Sequence, residues 1–250
     1  MLETIVHSNL IWILLISFLA TLVRSTLGFG ESLVAVPLLL LFLPADVAVP
    51  LSVMLSVVVA ALILLQDHNK VHFQSAKWLL LYAALGIPFG VLLLLYTDDT
   101  LIKIILGTLI VLYSLYSLFN KKNKVLDKDS KTWLQICGFL SGVLGGAYGL
   151  NGPPLVIYGN LRQWSATHFR ATLQAYFLPA SLLGLIGYYV KGLVTSEVHH
   201  YFLWALLTAI PATYLGRYLN KRMNNTRFFR YVYWGLVGVG ILLVGTVLLE

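Results

Sequence analysis

Arg24–Pro37, RSTLGFGESLVAVP, is a glycine-broken, partly polar stretch inside a run, Asn9–Leu43, that is otherwise apolar enough for lipid. Hydrocarbon tolerates a broken helix only where protein or a water-filled cavity surrounds the freed backbone groups. A second stretch of the same character, Gly145–Tyr158 (GGAYGLNGPPLVIY), lies inside the apolar region Trp133–Tyr158. The two breaks are therefore expected to form two walls of one buried site.

The surrounding chain is that of a membrane protein. With 59% apolar and 11% charged residues and a mean hydropathy of +0.84, it lies outside the composition of soluble domains. Six uninterrupted apolar runs, Val47–Leu65, Trp78–Tyr96, Leu101–Phe119, Ala171–Val190, Tyr201–Tyr218 and Tyr231–Leu249, could each cross a hydrocarbon core of roughly 30 Å. Neither broken region divides into two full-length spans. The opening residues MLETIVHSN carry Glu3 and no Lys or Arg, so the basic part of a secretory signal is missing and this segment is expected to stay in the mature chain. A single cysteine, Cys137, excludes an internal disulfide and a cysteine metal cluster, and reads as a small apolar helix residue.

Charge distribution decides between topologies. If each broken region enters and leaves on one side, as a re-entrant hairpin, segments 44–46, 97–100 and 191–200 share a side with both termini. The opposite side then carries 14 Lys and Arg, around residues 70, 125, 165 and 223, against only Lys103 and Lys191. If each broken region crosses once, the split is 8 against 8. Cytoplasmic loops carry the basic excess, so the hairpin arrangement is expected, in the cytoplasmic (inner) membrane with both termini outside. Trp78, Trp133, Trp164, Tyr231 and Trp234 then fall at the inner interface, and Tyr96, Tyr188, Tyr189 and Tyr201 at the outer one. The net charge of +7 needs no nucleic-acid partner to explain it.

A shift of 121 residues brings Phe18 onto Phe139, Leu19 onto Leu140, Gly28 onto Gly149 and Ala45 onto Ala166, and a slightly larger shift brings Pro88 onto Pro211. Three spans plus one hairpin in each half give the halves opposite orientations, the inverted-repeat plan of many secondary transporters. The expected fold is therefore an all-α polytopic membrane protein. About eight hydrophobic segments form two inverted repeats, 1–125 and 126–250, each a broken hairpin followed by three spanning helices. The basic linker Asn120–Lys131, NKKNKVLDKDSK, is read as the solvated loop between them.

GFGESLVAVPLLL from Gly28, GGAYGLNGPPLVIYG from Gly145, and the following LRQWSATHFRATLQAYF from Leu161 resemble the paired glycine-rich signatures of the sulfite exporter TauE/SafE family of two-halved membrane permeases. The likeness extends over nearly the whole chain in length, repeat plan and motif placement. The family's first signature commonly continues with glycines where this chain has Glu31 and Ser32, which marks it as a variant. The resemblance implies transport of a small sulfur-containing or organic anion, without naming the anion or the direction of movement.

Residues at the breaks supply candidate chemistry. Outgoing half-helices beginning at Ser32 and Pro153 would aim free N–H groups and positive dipole ends into the cavity, which suits an anion. Gly28, Gly30, Gly149 and Gly152 would allow positive φ and close backbone approach. Arg24 ends an apolar run, and an ionised guanidinium there is expected to face a cavity or a partner; it could grip an oxyanion bidentately, pair with Glu31, or snorkel to an interface. Glu31 could take up and release a proton and so couple transport to a proton gradient, form a structural pair, or simply favour a half-helix N-terminus. Ser25, Asn151 and Gln174 complete the candidate substrate set, with Ser52 and Ser56, four apart on one helix face, as weaker members. Arg162, His168 and Arg170 flank the basic mouth.

No cofactor or catalytic residue is implied. Polar residues near the breaks include no histidine, so a serine–histidine enzyme is unsupported. His68 and His72 have helical ligand spacing but too few companions for a zinc site. An anion channel, or a divalent-cation carrier using Glu31 as ligand, remain the alternatives to an anion carrier, and a homodimer is left open.

Overall fold

The computed structural model describes residues 2–67, 73–119, 126, 130–162, 164, 166–222 and 225–249, and among them every regular element is a helix. In chain order these are α1 (Leu2–Leu27), α2 (Glu31–Leu39), α3 (Ala45–Asp67), α4 (Phe73–Tyr96), α5 (Asp99–Phe119), α6 (Lys131–Tyr148), α7 (Gly152–Leu161), α8 (Ala166–Val190), α9 (Ser196–Arg222) and α10 (Asn225–Leu249). Segments of α1, α3, α4, α5 and α8 are long and apolar enough to cross a membrane, and Val232–Leu248 of α10 is a shorter apolar helix. The 27-residue α9 falls outside that set because His199, His200 and Arg217 dilute its ends. Its exposed stripe of Leu203, Leu207, Ile210 and Tyr214 is nonetheless an apolar face at helical spacing, suited to lipid.

Both broken regions are pairs of helices of unequal length. The incoming arm α1 has 26 residues and the outgoing arm α2 only 9; α6 has 18 and α7 has 10. The first incoming arm is therefore no half-helix, since its segment Leu10–Leu27 alone reaches span length. The boundaries keep step: α1 ends at Leu27 and α6 at Tyr148, α2 begins at Glu31 and α7 at Gly152, α3 begins at Ala45 and α8 at Ala166, each pair 121 residues apart.

Helix ends sort into two sets. The Ala45 N–H donates to Asp99 Oδ1 (3.2 Å), which gathers the starts of α3 and α5 with the end of α4. Val91 faces Gly187, adding the end of α8 and the start of α9. Thr208 donates to the Leu14 carbonyl (3.1 Å) and Asn220 to the Thr26 carbonyl (2.5 Å), so α1 runs parallel to α9 and starts at this same end. Phe119 meets Trp234 edge-on at 6.4 Å, so α10 runs back along α5 and finishes there too. At the opposite end the Arg217 Nη2 donates to the Gln66 carbonyl (3.2 Å), and the Leu126 N–H donates to the Leu161 carbonyl (2.8 Å). Each broken pair thus enters and leaves at one end of the molecule, the first pair at one end and the second at the other.

The close contacts are glycine-lined. α6 runs parallel to α4, and a Cβ on Gly138, Gly142 or Gly146 would strike the backbone of Leu79, Ala83 or Ile87, while one on Gly86 or Gly90 would strike that of α6. With side chains removed from the seam, dispersion contact between backbones replaces the hydrophobic drive that lipid cannot supply. Gly107 of α5 and Gly240 of α10 meet in the same way. Of the tyrosines expected at the outer interface, Tyr96 and Tyr189 are well exposed, but Tyr188 and Tyr201 are buried. Tyr188 is drawn inward because its hydroxyl donates to the Gly146 carbonyl (2.7 Å).

Candidate functional site

The first break is made by two residues in the left-handed region, Gly28 (φ 88°) and Gly30 (φ 98°), and the second by Gly149 (φ 69°). Side chains rarely adopt that conformation, and at Gly28 a Cβ would also press on Arg170 Cγ at 3.0 Å. Gly152, expected to share the positive φ, does not; it is already the first residue of α7. The outgoing helices begin one residue earlier than expected, at Glu31 and Gly152. Gly30 caps α2 without a side-chain hydrogen bond, so the first N–H groups of α2 have no partner within the helix.

A small cavity lies where the breaks meet. Arg24, Glu31, Ser32, Ser56, Asn151 and Phe177 line it, together with backbone at Gly30, Gly149 and Gly152. Its volume of about 20 Å³ is little more than the 10–15 Å³ that one water needs, so in this conformation the walls are drawn together.

Arg24 is 2% exposed and held from three helices. Nη1 pairs with the Glu31 carboxylate of α2 and donates to Ser56 Oγ of α3 (2.6 Å). Nε and Nη2 donate to Gln174 Oε1 of α8 (3.3 and 2.9 Å), and the guanidinium lies 5.1 Å from the Phe177 ring centre. Such a cation in an apolar surround is tolerated only with this degree of pairing. Glu31 accepts a further hydrogen bond from Thr21 Oγ1 (3.3 Å), one helical turn before Arg24. Gln174 Nε2 donates back to the Gly28 carbonyl (2.6 Å), so one amide holds both the cation and the broken backbone beside it.

The second break is held by the same helix α8 and by α6. Ser141 Oγ donates to the Asn151 carbonyl (2.6 Å) and lies 2.9 Å from the Tyr176 hydroxyl. Asn151 is 6% exposed, and its Oδ1 has no hydrogen-bond partner among the described residues. Ser52 Oγ donates to Ser32 Oγ (3.0 Å), and Ser56 Oγ lies 3.1 Å from Ser181 Oγ. Hydroxyls of α3 thus tie the start of α2 to α8.

Of the residues singled out in the sequence, Arg24, Gly30, Glu31, Ser32, Gly149, Asn151 and Gly152 line the cavity. Gln174 and Gly28 stand behind Arg24, bonded to each other. Ser25 is buried with its Oγ unpartnered among the described residues and its Cβ against the Gly216 position of α9, outside the cavity lining, and Pro153 is buried within α7 without lining it. Cys137 is buried in α6. His68, His72 and the side chain of His168 lie outside the described residues. Sequence reading missed Thr21, Phe177 and Ser181. Helical spacing offered a signal for each: Thr21 is three before Arg24, and Phe177 and Ser181 are three and seven after Gln174.

Helices broken at a shared, charged interior point, within a bundle whose outer faces are apolar, define a polytopic membrane protein with a buried polar site. The family model for the sulfite exporter TauE/SafE family matches residues 13–243, and the chain belongs to that family. A probable sulfite/organosulfonate exporter TauE of Cupriavidus necator is 26% identical over 165 residues, covering 63% of this chain and 64% of the relative. No solved structure matches the chain.

Proposed function

We propose that this chain is a secondary transporter of small sulfur oxyanions or organosulfonates, carried through the cavity between the two broken pairs by alternating exposure. The observation that carries the reading is Arg24: one buried guanidinium on the wall of a cavity onto which the starts of α2 and α7 open. A cation and two positive helix ends favour an anion. Family membership and the name of the Cupriavidus necator relative agree with that class of cargo.

Two further features belong to the same proposal. The 121-residue correspondence of element boundaries and the opposite directions of the two broken pairs support two inverted repeats, 1–125 and 126–250, rocking about the site. Glu31, held by Arg24, is the group placed to couple transport to protons. The basic excess supports a reading in which the helix ends near residues 74, 131 and 222 lie in the cytoplasm and both termini outside the inner membrane. A divalent-cation carrier is disfavoured, because Glu31, the one carboxylate on the cavity wall among the described residues, is already neutralised by Arg24.

Reconstitution in vesicles tests the reading. Labelled sulfite is expected to enter saturably and faster into vesicles preloaded with unlabelled sulfite, since a carrier returns more quickly when loaded. Flux that stays linear with concentration and ignores preloading would indicate a channel, and preference for divalent cations would overturn the proposal.

A further inference from the structure

Only some of the partners of Arg24 line the cavity with it. Glu31 and Ser56, the partners of Nη1, line it, whereas Gln174, which holds Nε and Nη2, does not. An oxyanion entering the cavity therefore meets the guanidinium on the side where the Glu31 carboxylate already sits. A strong grip on an oxyanion uses two parallel N–H donors; Nε and Nη2 are already taken by Gln174 and Nη1 by Glu31 and Ser56, so an anion reaching Nη1 competes with the Glu31 carboxylate for the same nitrogen.

We infer that Glu31 occupies the place on Arg24 that the cargo takes, so that the cargo is a monoanion and each one bound brings one proton onto Glu31. This rests on the anion-carrier reading above. The proton comes from the aqueous side to which the cavity is open, and the bond formed is O–H on a Glu31 carboxyl oxygen. Left ionised, the displaced carboxylate would be a second negative charge beside Arg24, the one cation that lines the cavity among the described residues. Neutralised, it keeps Thr21 as a hydrogen-bond partner within reach. The charge balance then selects the ligand: Arg24 contributes one positive charge, a monoanion cancels it, and a dianion leaves one negative charge in excess.

The surroundings of Glu31 supply no competing proton acceptor of its kind among the described residues. α1 presents Arg24 and Thr21, and α3 presents Ser52 and Ser56. From α8, Arg170 packs its aliphatic part on Gly28 without lining the cavity. On α5 and α10, which also touch α2, Asp99 and Arg230 are exposed and Lys103 is half-buried. The buried tyrosines Tyr113 and Tyr233 of those helices face each other at 6.0 Å, and Tyr148 of α6 is buried nearer the second break.

Equilibrium binding to the purified full chain tests this with two probes of similar oxygen geometry, methanesulfonate (a monoanion) and sulfate (a dianion), at equal ionic strength from about pH 5 to pH 8. Methanesulfonate binding is expected to weaken about tenfold per pH unit where Glu31 is ionised in the free protein. Calorimetry in buffers of different ionisation enthalpy is expected to give close to one proton taken up per anion. Sulfate is expected to bind at least about tenfold more weakly. Glu31→Gln should bind methanesulfonate without pH dependence, and more tightly than the unaltered protein at high pH. A flat profile in the unaltered protein, an unchanged slope in Glu31→Gln, or sulfate binding equal to methanesulfonate would each overturn the inference while leaving an anion carrier in place. Absence of binding by either anion would overturn the anion-carrier reading with it.

Discussion

Arg24 and Glu31 are each costly alone and tolerable together. Removing one partner of a buried pair leaves an uncompensated charge, at about 3–5 kcal/mol, whereas removing both is far less harmful. Arg24→Met is therefore expected to lower the melting temperature sharply, and adding Glu31→Gln to it should recover a large part of the loss. Thermal unfolding of the two single variants and the double variant in detergent checks this; additive losses would mean that the pair does not hold the breaks together. Both residues were legible from sequence because a charge inside an apolar run needs a reason. The partners from other helices were not, because which hydroxyl or amide meets a guanidinium across 150 residues, as Gln174 does, depends on how the helices cross. Whether Arg24 would pair with Glu31 or stand free was likewise undecided by residue type, and the turn of backbone between Gly28 and Gly30 settles it by bringing the first residue of α2 back beside the last turn of α1.

The parallel pair α4 and α6 is the seam most sensitive to a single methyl group. A Cβ at Gly142 would come within 2.7 Å of Ala83 Cα, and neither helix backbone can yield as a flexible side chain would. Gly142→Ala is expected to destabilise by about 1–3 kcal/mol, as overpacked cores do, despite the higher helix propensity of alanine. Gly235→Ala on α10, where a Cβ meets nothing within 4 Å, should change stability by no more than about 0.5 kcal/mol. Thermal melts of the two variants side by side decide it, and equal melting temperatures would show that the seam relaxes. The helices themselves, and the positions of the breaks, could be read from apolar runs and glycines. The pairing of α6 with α4 and of α1 with α9 could not, since glycine spacing announces a close neighbour without naming it. The unequal arms of each broken pair were also hidden: an apolar run looks the same whether a helix stops halfway or continues along a long neighbour such as α9.

At the level of the whole molecule, the two sets of helix ends and the distribution of Lys and Arg make one joint claim. The contacts place the starts of α1, α3, α5 and α9 and the finish of α10 at one end, and 14 of the 16 basic residues outside α1 belong to the segments assigned to the other. Sequence alone reached this arrangement by comparing 14 against 2 with 8 against 8, which is a statement about loops; the contacts reach it through helix directions and so are independent of charge. Exposed positions allow a direct check in a background where the buried Cys137 is replaced by serine. Asp98→Cys and Lys191→Cys should react with a membrane-impermeant maleimide in intact cells if that end faces outward as proposed, because both are exposed at the end where α1 starts and α10 finishes. Gln74→Cys and Lys131→Cys, exposed at the opposite end, should react only after the membrane is opened, if the basic end faces the cytoplasm as proposed. Reaction of Asp98→Cys and Gln74→Cys from the same side would break the link between helix direction and membrane side, because α4 would then no longer cross. A clean reversal of all four would keep the architecture and put the basic loops outside, against the charge rule that orients nearly every short-looped membrane protein.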